Sequence, residues 1–383
     1  MSVVIARDLV REPLYAIVPV QNPWRWRSRY KLTDRALKHF HDSGVVIVLV
    51  EACFNRREAV YADSGMHGTM SNCRILGASD DKLRHRYIGL RTKDELWLKE
   101  NLINVGVQSL PHDWEQVCWL DSDVVFTRPN WAGECIQKLQ HYKFLQMFSQ
   151  AHDLAPNYEL LPEDYPHAAG VSFVQSWRDG DLDENLRFKP KPIPPQIQTD
   201  LTQISNDLKK AMGDLQTLVH DLEDPYYGGA GPRRVFPGLS WACTREAWDQ
   251  VGGLMDWAIW GGGDWAMAHA LVARRNGMMH NALHEHYKAL TSEWANRADR
   301  HIRQNVGLMS GAVLHNWHGK KTMRGYGDKH RILARLQFDP LRHLKRDSQG
   351  LWQLHDDGSD QYIGLRDSFR KIAVERDEDS TVL

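Results

Sequence analysis

Two apolar runs separated by a helix-like stretch constrain the fold more than any other feature of the chain. Residues 15–20 are almost wholly apolar and end in the turn-forming triplet Gln-Asn-Pro. Residues 45–50 are six consecutive apolar residues, mostly β-branched, as is typical of a strand covered on both faces. Between them, residues 28–41 carry apolar side chains at helical spacing. The order strand, helix, strand predicts a βαβ unit and therefore a parallel sheet.

Composition describes an ordinary globular protein. The 383 residues are 42% hydrophobic and 25% charged, enough for one long α/β domain or two smaller ones. A formal net charge of −1 gives no general attraction to nucleic acid or to anionic membranes. Five scattered cysteines without a CxxC pair favour reduced thiols. With no signal-peptide pattern and no run approaching ~20 apolar residues, we expect a soluble, cytoplasmic protein without a membrane span.

An acidic pair follows another apolar run. Residues 117–120 read as a short buried strand, and Asp121 and Asp123 come directly after it. Residues i and i+2 point the same way in extended chain, so both carboxylates can face one cation. Hard oxygen ligands suit Mg²⁺ or Mn²⁺ better than zinc. Taken alone, an Asp-x-Asp pair is more often a solvated turn.

The ends of the predicted strands point to one crevice. In open parallel sheets, ligands bind beyond the carboxyl ends of the strands. Arg25, Glu51 and the pair Asp121 and Asp123 each follow a predicted strand, so we expect them to converge. Cations there would hold a diphosphate and a carboxylate would hold a ribose or base, although an exposed helix start explains the arginines equally well.

The remaining segments divide into ordered elements and connections. Residues 55–91 read mainly as loop, and the capping-box form of residues 92–95 predicts a helix continuing to about residue 107. A helix near residues 131–140 and a strand at residues 144–148 follow. Residues 177–225 break the pattern, with four prolines in residues 189–195 and a polar amphipathic stretch at 199–222. We interpret them as an insertion or lid.

A glycine-rich stretch precedes a third candidate acid. Gly261, Gly262 and Gly263 remove side chains from the approach to Asp264, which allows a ligand close to the backbone. Asp264 would open a helix through residue 272, where a carboxylate suits the positive end. The alternative is that Asp264 is only a helix cap.

Two histidines three residues apart, His315 and His318, precede a basic segment. His-x-x-His is a weak signal by itself, but beside a carboxylate pair it offers the missing metal ligands. The histidines at 280, 284 and 286 lack nearby cysteines and read as a solvated helix end.

Taken in order, these motifs resemble nucleotide-sugar glycosyltransferases of the GT-A fold, nearest to the β-1,4-galactosyltransferase type, and soluble bacterial and phage glycosyltransferases. The resemblance covers residues 15–331 apart from 177–225. It implies an α/β fold with a Rossmann-like, mostly parallel sheet flanked by helices, and a helical insertion. It divides the chain into a nucleotide-sugar and metal-binding half (1–176), the insertion (177–225), an acceptor and catalytic half (226–335) and a C-terminal helical extension (336–383).

The same resemblance assigns roles to residues. Asp264 matches the catalytic base. The metal ligands fall on Asp121, Asp123, His315 and His318, with Asp123 the direct ligand of the acid pair. The resemblance, the strand-end argument and the basic segment after His318 together predict donor contacts at Pro19, Asn22, Arg25, Arg29, Glu51, Lys99, Lys320, Lys321 and Arg324. Acceptor contacts fall on Trp260, Gly262, Gly263 and Trp265.

Two residues depart from the family pattern. Gly263 stands where the family has an acid that helps bind the acceptor, so the acceptor does not carry over. His315 stands where the family has Met, which bears on the choice of metal.

The expected reaction is transfer of a sugar from a nucleotide-diphosphate donor, by default a UDP-sugar, to a hydroxyl acceptor with inversion and with Mn²⁺ or Mg²⁺ as cofactor. The acceptor can be a glycan, a small molecule or a modified nucleic acid. One alternative is a metal-dependent nucleotidyltransferase or phosphodiesterase that uses the same residues. Others are a catalytically silent sugar- or nucleic-acid-binding protein, or a phage-type DNA-base glycosyltransferase. Residues 320–346 contain nine Lys or Arg residues and two acids. A local basic patch of this kind can bind nucleic acid, which favours the nucleic-acid alternatives.

Overall fold

A computed structural model describes residues 13–62, 85–161, 168–181, 234–324 and 326–381. The described strands are β1 (Tyr15–Gln21), β2 (Val46–Phe54), β3 (Arg86–Thr92), β4 (Gln116–Leu120), β5 (Val124–Phe126), β6 (Phe144–Gln146), β7 (Gln150–Asp153), β8 (Ala169–Ser172), β9 (Arg234–Phe236), β10 (Ser240–Thr244), β11 (Val306–Leu308), β12 (Ala312–His315), β13 (Leu344–Arg346) and β14 (Trp352–Leu354). The described helices are α1 (Arg27–Asp42), α2 (Lys99–Gln108), α3 (Trp131–Lys138), α4 (Phe173–Arg178), α5 (Arg245–Val251), α6 (Gly263–Leu271), α7 (Glu285–Arg297), α8 (Tyr326–Arg335), α9 (Pro340–His343) and α10 (Asp360–Glu375), with a π-helical turn at Ala298–Ile302 and a 3₁₀ turn at Lys321–Arg324.

The main sheet has seven strands in the order β11-β6-β10-β4-β1-β2-β3. β1 is parallel to β2 and β4, β3 is parallel to β2, and β11 is parallel to β6. β10 alone runs antiparallel, between β4 and β6. The predicted α/β class with a mostly parallel sheet flanked by helices is confirmed, and so is its starting unit β1-α1-β2.

A second sheet, in the order β5-β12-β7-β8-β9, lies beside the ends of the main-sheet strands that carry the acids. The chain leaves β4 at Leu120, turns through Asp121–Asp123 and enters the second sheet as β5. β12 pairs antiparallel with β5, so that His315 lies opposite Val124. The two sheets therefore bring the sequence-distant His315 next to the acidic turn.

Helix α2 packs tightly against the main sheet. An added Cβ at Gly106 would lie 2.6 Å from Ile17 Cγ2 and 3.0 Å from Val50 Cγ2. These side chains belong to β1 and β2 and are fully buried. A glycine is therefore needed where the helix crosses the two strands, and this close approach fixes where Lys99, at the first turn of α2, can lie.

Two sequence predictions about this region are wrong. Residues 55–91 were expected to be mainly loop, but Arg86–Thr92 forms the edge strand β3, because Ile88 and Leu90 are buried although Arg91 is exposed. Helix α2 begins at Lys99 rather than after the capping-box residues, since Thr92 ends β3 and its side chain accepts a hydrogen bond from the Asp94 amide at 3.2 Å.

The C-terminal extension contains more than helices. It includes the hairpin β13–β14 as well as α10. From α10, Phe369 stacks on Trp260 with ring centroids 3.9 Å apart, which ties this segment to the glycine-rich loop. The predicted helix at 199–222 and most of the 177–225 insertion lie outside the described residues.

The four described cysteines, at positions 53, 118, 135 and 243, are buried free thiols. Within the described ranges, each helix is too short or too polar to cross a bilayer.

We expect Gly106→Ala to lower stability, because the new methyl group collides with two buried β-branched side chains. Overpacking of this kind costs about 1–3 kcal/mol, against a gain of about 1 kcal/mol in helix propensity. The urea midpoint measures the net effect. Gly133→Ala in α3 is the control, because its Cβ meets only the end of the Asn130 side chain, which can rotate away. A Gly106→Ala midpoint at or above that of wild type would contradict the packing argument.

Candidate active site

A cavity of about 640 Å³ opens at the carboxyl ends of β1 and β4. Its lining brings together residues from both halves of the chain and from the C-terminal extension. The sequence-predicted residues that line it are Pro19, Arg29, Lys99, Asp121, Asp123, Trp260, Gly262, Asp264, Trp265, His315, His318 and Arg324.

Three predicted donor residues lie elsewhere. Asn22 is buried and closes a turn by hydrogen bonds to the backbone N–H and C=O of Trp26, at 3.0 and 2.9 Å. Glu51 is buried and accepts hydrogen bonds from the Val60 and Tyr61 amides and from the Tyr87 hydroxyl. Arg25 is exposed. The expectation that Arg25 and Glu51 share a crevice with the acidic pair is therefore not met, because local backbone groups already use the Glu51 carboxylate.

Asp123, His315 and His318 form a buried group that can hold a metal ion. One ligand atom from each lies within 4.8 Å of the others. His318 Nε2 is 3.3 Å from Asp123 Oδ2, and His315 Nε2 is 3.8 Å from Asp123 Oδ1. Among the described residues, buried Asp123 Oδ1 has no hydrogen-bond partner. Buried carboxylate oxygens without partners are costly, so this atom fits a cation ligand, and the donor set suits Mn²⁺.

Other groups orient the two imidazoles. His315 Nδ1 lies 2.6 Å from Asp153 Oδ1, and since the carboxylate only accepts, Nδ1 donates and Nε2 faces the metal group with its lone pair. Burial, followed by the charges on Arg324 and Arg29, holds the pKa of His318 well below its usual value. His315 thus directs a lone pair at the group, and His318 is kept neutral, as a metal-ligating imidazole must be.

Asp121 does not belong to this group, although the sequence predicted that both acids face one cation. Residues 121–123 form a turn rather than extended chain, so the i, i+2 rule does not apply. Asp121 Oδ1 instead lies 2.5 Å from Lys99 Nζ. Burial raises the pKa of Asp121, Lys99 opposes that rise and Asp123 adds to it. Asp123 therefore faces the histidines, whereas Asp121 pairs with Lys99 of α2.

Asp264 lies in the first turn of α6, directly after the glycine-rich loop. Gly261 and Gly262 have φ of 87° and 83°, the left-handed region that favours glycine. The Trp265 amide donates to Asp264 Oδ1 at 2.8 Å. Asp264 Oδ2 lies so close over Gly238 that a Cβ there would collide with it. The carboxylate is therefore held in one orientation while it lines the cavity.

Glu100, beside Lys99, was not singled out from the sequence. It is 5% exposed and lines the cavity, and an added Cβ at Gly263 would lie 2.7 Å from its Oε1. Burial raises the pKa of Glu100 to about 8, against the opposing effect of Lys99 and with a further rise from Asp264. The glycine at 263 thus leaves the space in which a carboxyl from α2 lies.

The C-terminal segment that follows α10 also enters the site. Glu378 is 2% exposed and its Oε2 and Oε1 lie 2.5 and 3.0 Å from Arg29 Nε and Nη2. Arg376 Nη2 is 2.7 Å from Glu378 Oε1. Burial alone raises the pKa of Glu378, but the charges of Arg29 and Arg376 outweigh it and lower the pKa. The Glu378 carboxylate is therefore ionised beside the metal group, although Glu378 is far from Arg29 in the sequence.

The basic stretch 320–346 does not form one surface. Arg324 is buried and donates to the Gly319 carbonyl, and Lys329 lines the cavity, where burial and then two arginines lower its pKa to about 7. Arg342 pairs with Asp357, and Arg346 pairs with Asp256. Lys320 is partly exposed, and the side chain of Lys321 lies outside the described residues.

A second His/Asp group, His284, His286 and Asp339, lies on the surface. Asp339 also caps α9 through the Leu341 amide, and His284 Nδ1 accepts from the His286 amide. These contacts are local ones at the starts of α7 and α9.

Asp153, Glu100 and Glu378 are the residues that sequence reasoning missed. Asp153 ends β7, and an acid at a strand end was a usable signal. Glu100 lies in the first turn of α2, where an acid is ordinary. Glu378 is about 350 residues from its partner Arg29, and no local pattern connects the two.

The matches of this chain to known proteins are with solved structures. No protein-family model and no curated protein matches the chain. Among solved structures, the catalytic domain of Drosophila β1,4-galactosyltransferase 7 with xylobiose matches at 11% identity and TM-score 0.26, covering 67% of this chain and 59% of that one. A mutant of that enzyme with manganese, UDP-Gal and xylobiose matches at 12% identity and TM-score 0.24, with the same coverage.

GalNAc-T7 with UDP, GalNAc and Mn²⁺ matches at 14% identity and TM-score 0.36, covering 80% of this chain and 43% of that one. This chain therefore spans less than two thirds of the length of these glycosyltransferases.

We expect the free energy of unfolding of Glu100→Gln to increase, relative to that of wild type, as the pH rises. The pKa of Glu100 is about 8 in the folded protein and 4.5 ordinarily. Between these values the folded state holds a proton that the unfolded state has released, so wild-type stability falls as pH increases. Gln has no such proton, and each pKa unit corresponds to about 1.4 kcal/mol.

Thermal unfolding of both proteins at pH 5 and pH 9 measures this effect. Exposed Glu115 supplies the control: Glu115→Gln should leave the pH dependence unchanged. The same Tm difference between Glu100→Gln and wild type at both pH values would show that Glu100 ionises normally.

Proposed function

We propose that this protein is a metal-dependent glycosyltransferase that moves a sugar from a UDP-sugar to a hydroxyl acceptor with inversion at the anomeric carbon. The observation that carries the proposal is a single cavity with two chemically different sides. One side has the Asp123, His315 and His318 group with several cations, and the other has Asp264 beneath a glycine-rich loop. Such a cavity can hold a diphosphate leaving group and an attacking hydroxyl on opposite sides of a sugar.

The leaving-group side is built to hold negative charge. Asp123, His315 and His318 would hold a divalent cation, which would supply Lewis-acid stabilisation of the departing diphosphate. Arg324, Lys329 and Lys99 line the same cavity and attract the phosphate oxygens. Burial strengthens each of these interactions, because little water remains to screen them.

The acceptor side is built around Asp264. With Oδ1 held by the Trp265 amide, Oδ2 is the oxygen available to take a proton from the attacking hydroxyl. Gly238 leaves room for that oxygen. Trp265 lines the cavity nearby and offers a flat apolar surface for a sugar ring. In-line attack by a hydroxyl activated at Asp264 forms the new C–O bond as the bond to the diphosphate breaks, which inverts the anomeric centre.

Incubation with Mn²⁺ and a panel of UDP-sugars, without acceptor, tests the reaction class. We expect slow release of UDP and free sugar from one donor. With an acceptor, proton NMR of the product from an α-linked donor should show a β-linkage. Release of UMP and sugar phosphate would identify a phosphodiesterase, and an α-linked product would exclude inversion.

We expect Asp123→Ala to abolish UDP release and Mn²⁺ binding, because the group loses its anionic ligand, and EDTA to abolish UDP release by the wild type. The fold should persist, since Asp123 lies in a turn. Mn²⁺ binding by electron paramagnetic resonance, UDP release and circular dichroism measure these effects. Exposed Asp113 gives the control Asp113→Ala, which should behave as wild type. Full turnover in excess EDTA would refute the metal requirement.

We expect Asp264→Asn to lower kcat for transfer about 10²–10⁴-fold, because an amide keeps the shape but takes no proton. UDP affinity should stay within about twofold of wild type, since the diphosphate is held on the other side of the cavity. The control is Asp249→Asn, at an exposed acid in an ion pair with Arg245. Transfer by Asp264→Asn at close to the wild-type rate would remove this residue from the mechanism.

A further inference from the structure

The two histidines of the candidate metal group have different side chains next to their Nδ1 atoms. His315 has the Asp153 carboxylate behind it, 2.6 Å from Nδ1. Behind His318, Arg29 Nη2 lies 3.2 Å from Nδ1, and Glu378 Oε1 lies 3.9 Å from the same nitrogen. A cation and an anion thus compete for one ring nitrogen.

Hydrogen-bond directions fix the proton positions in the observed arrangement. Arg29 only donates, so His318 Nδ1 accepts and the proton of the neutral ring is on Nε2. His318 Nε2 is 3.3 Å from His315 Nε2, whose lone pair is free to accept because Nδ1 donates to Asp153. A directed chain therefore runs from Arg29 to His318, whose Nε2 proton faces two acceptors, His315 Nε2 and Asp123 Oδ2, each at 3.3 Å.

Metal ligation by His318 is incompatible with that chain. A ligating Nε2 needs its lone pair, so the ring proton must be on Nδ1. Nδ1–H cannot accept from Arg29 and needs an acceptor instead. Glu378 Oε1 is 3.9 Å away and moves into hydrogen-bond range with a shift of about 1 Å.

We propose that Glu378 is a positioning residue of the metal centre: it accepts the Nδ1 proton of His318 when Nε2 binds the metal, as Asp153 does for His315. The proposal rests on the metal centre of the proposed function and adds a residue from the C-terminal segment. Arg29 then turns its guanidinium from the ring nitrogen toward the cavity that it lines.

The C-terminal segment is anchored so that Glu378 stays within reach. Asp379 accepts from the Arg27 and Ser28 amides at the start of α1, at 3.1 and 2.7 Å, and the Ser28 hydroxyl donates to the Glu378 carbonyl. Trp317 Nε1 donates to the Ser380 carbonyl at 2.7 Å. The segment is thus attached both to α1 and to the residue before His318.

Gly319 allows this close contact. It has φ of 83°, and an added Cβ would lie 2.8 Å from the Arg376 carbonyl oxygen. The residues on both sides of His318 therefore contact the C-terminal segment, Trp317 through its side chain and Gly319 through its backbone, and side-chain movement is enough to exchange Arg29 for Glu378.

Mn²⁺ binding to the full-length protein, without donor or acceptor, tests the proposal. We expect Glu378→Gln to weaken Mn²⁺ binding about 10–100-fold, the usual effect of removing a carboxylate behind a ligating histidine. Asp153→Asn should weaken it similarly. Glu375→Gln is the matched control: Glu375 is three residues away, its side chain is 48% exposed and it pairs only with Lys371 at the surface. Electron paramagnetic resonance gives each Kd.

A purely structural role predicts another pattern. Glu378→Gln would then lower the Tm of the metal-free protein while the Kd for Mn²⁺ stayed at the wild-type value, and that result would overturn the proposal. Wild-type protein that binds Mn²⁺ but releases no UDP from any UDP-sugar would sink the proposed function alone. Wild-type protein that does not bind Mn²⁺ would sink both.

The ring nitrogens of wild-type His318 give a second test that needs no variant at position 378. Proton–nitrogen NMR, assigned with His318→Gln, should show the proton on Nε2 without metal and on Nδ1 with saturating Mg²⁺. An unprotonated Nδ1 in both states would overturn the proposal, even if Glu378→Gln failed to fold.

Discussion

The site depends on one antiparallel strand inserted into an otherwise parallel sheet. β10 lies between β4 and β6, with Ser240 opposite Leu120, and just before it the Leu239 carbonyl accepts from the Asp121 amide at 2.9 Å. This register places Gly238 beside the end of β4. Because Asp264 lies directly over Gly238, the same backbone pairing sets the position of the acidic turn relative to the candidate base.

Electrostatics then divides the cavity. Asp121 and Lys99 form a pair between the two sides, Asp123 faces the histidines, and Asp264 faces the glycine-rich loop. Buried charges in the cavity lie near charges of opposite sign, as buried ions require. The pKa values of Lys329 and Glu100 are about 7 and 8, so their charges respond to whatever the cavity binds. The site is thus fixed in geometry and adjustable in charge near neutral pH.

Sequence reasoning predicted the parts of the fold that have a local cause. The β1-α1-β2 unit, strand β4 and helix α6 follow from apolar periodicity and from glycine and acid at a helix start. It failed at β3, where arginines concealed a half-buried edge strand, and at Asp121, where a turn replaced the extended geometry that was assumed. These errors have one origin: side-chain direction depends on backbone conformation, which a short window specifies poorly.

Other parts of the site had no local signal. Glu100 fills space left by Gly263, and Glu378 reaches Arg29 across nearly the whole chain. The two acids become visible only when α2 and the C-terminal segment are packed against the second half. The resemblance drew attention to the glycine at 263, but it gave no means of finding the Glu100 carboxyl that packs against it.

The late position of β10 in the sequence also affects folding during synthesis and the outcome of cutting the chain in two. Residues 1–176 supply β1 to β4 and β6 but not β10, so the centre of the main sheet stays open until residues 240–244 have emerged from the ribosome. Until then β4 and β6 present unpaired edges, which favour association with other chains. A cut within the 177–225 insertion separates the two halves in sequence, yet neither half completes the seven-stranded or the five-stranded sheet. The two halves therefore depend on each other for these sheets, and the nascent chain is least protected in the middle of translation.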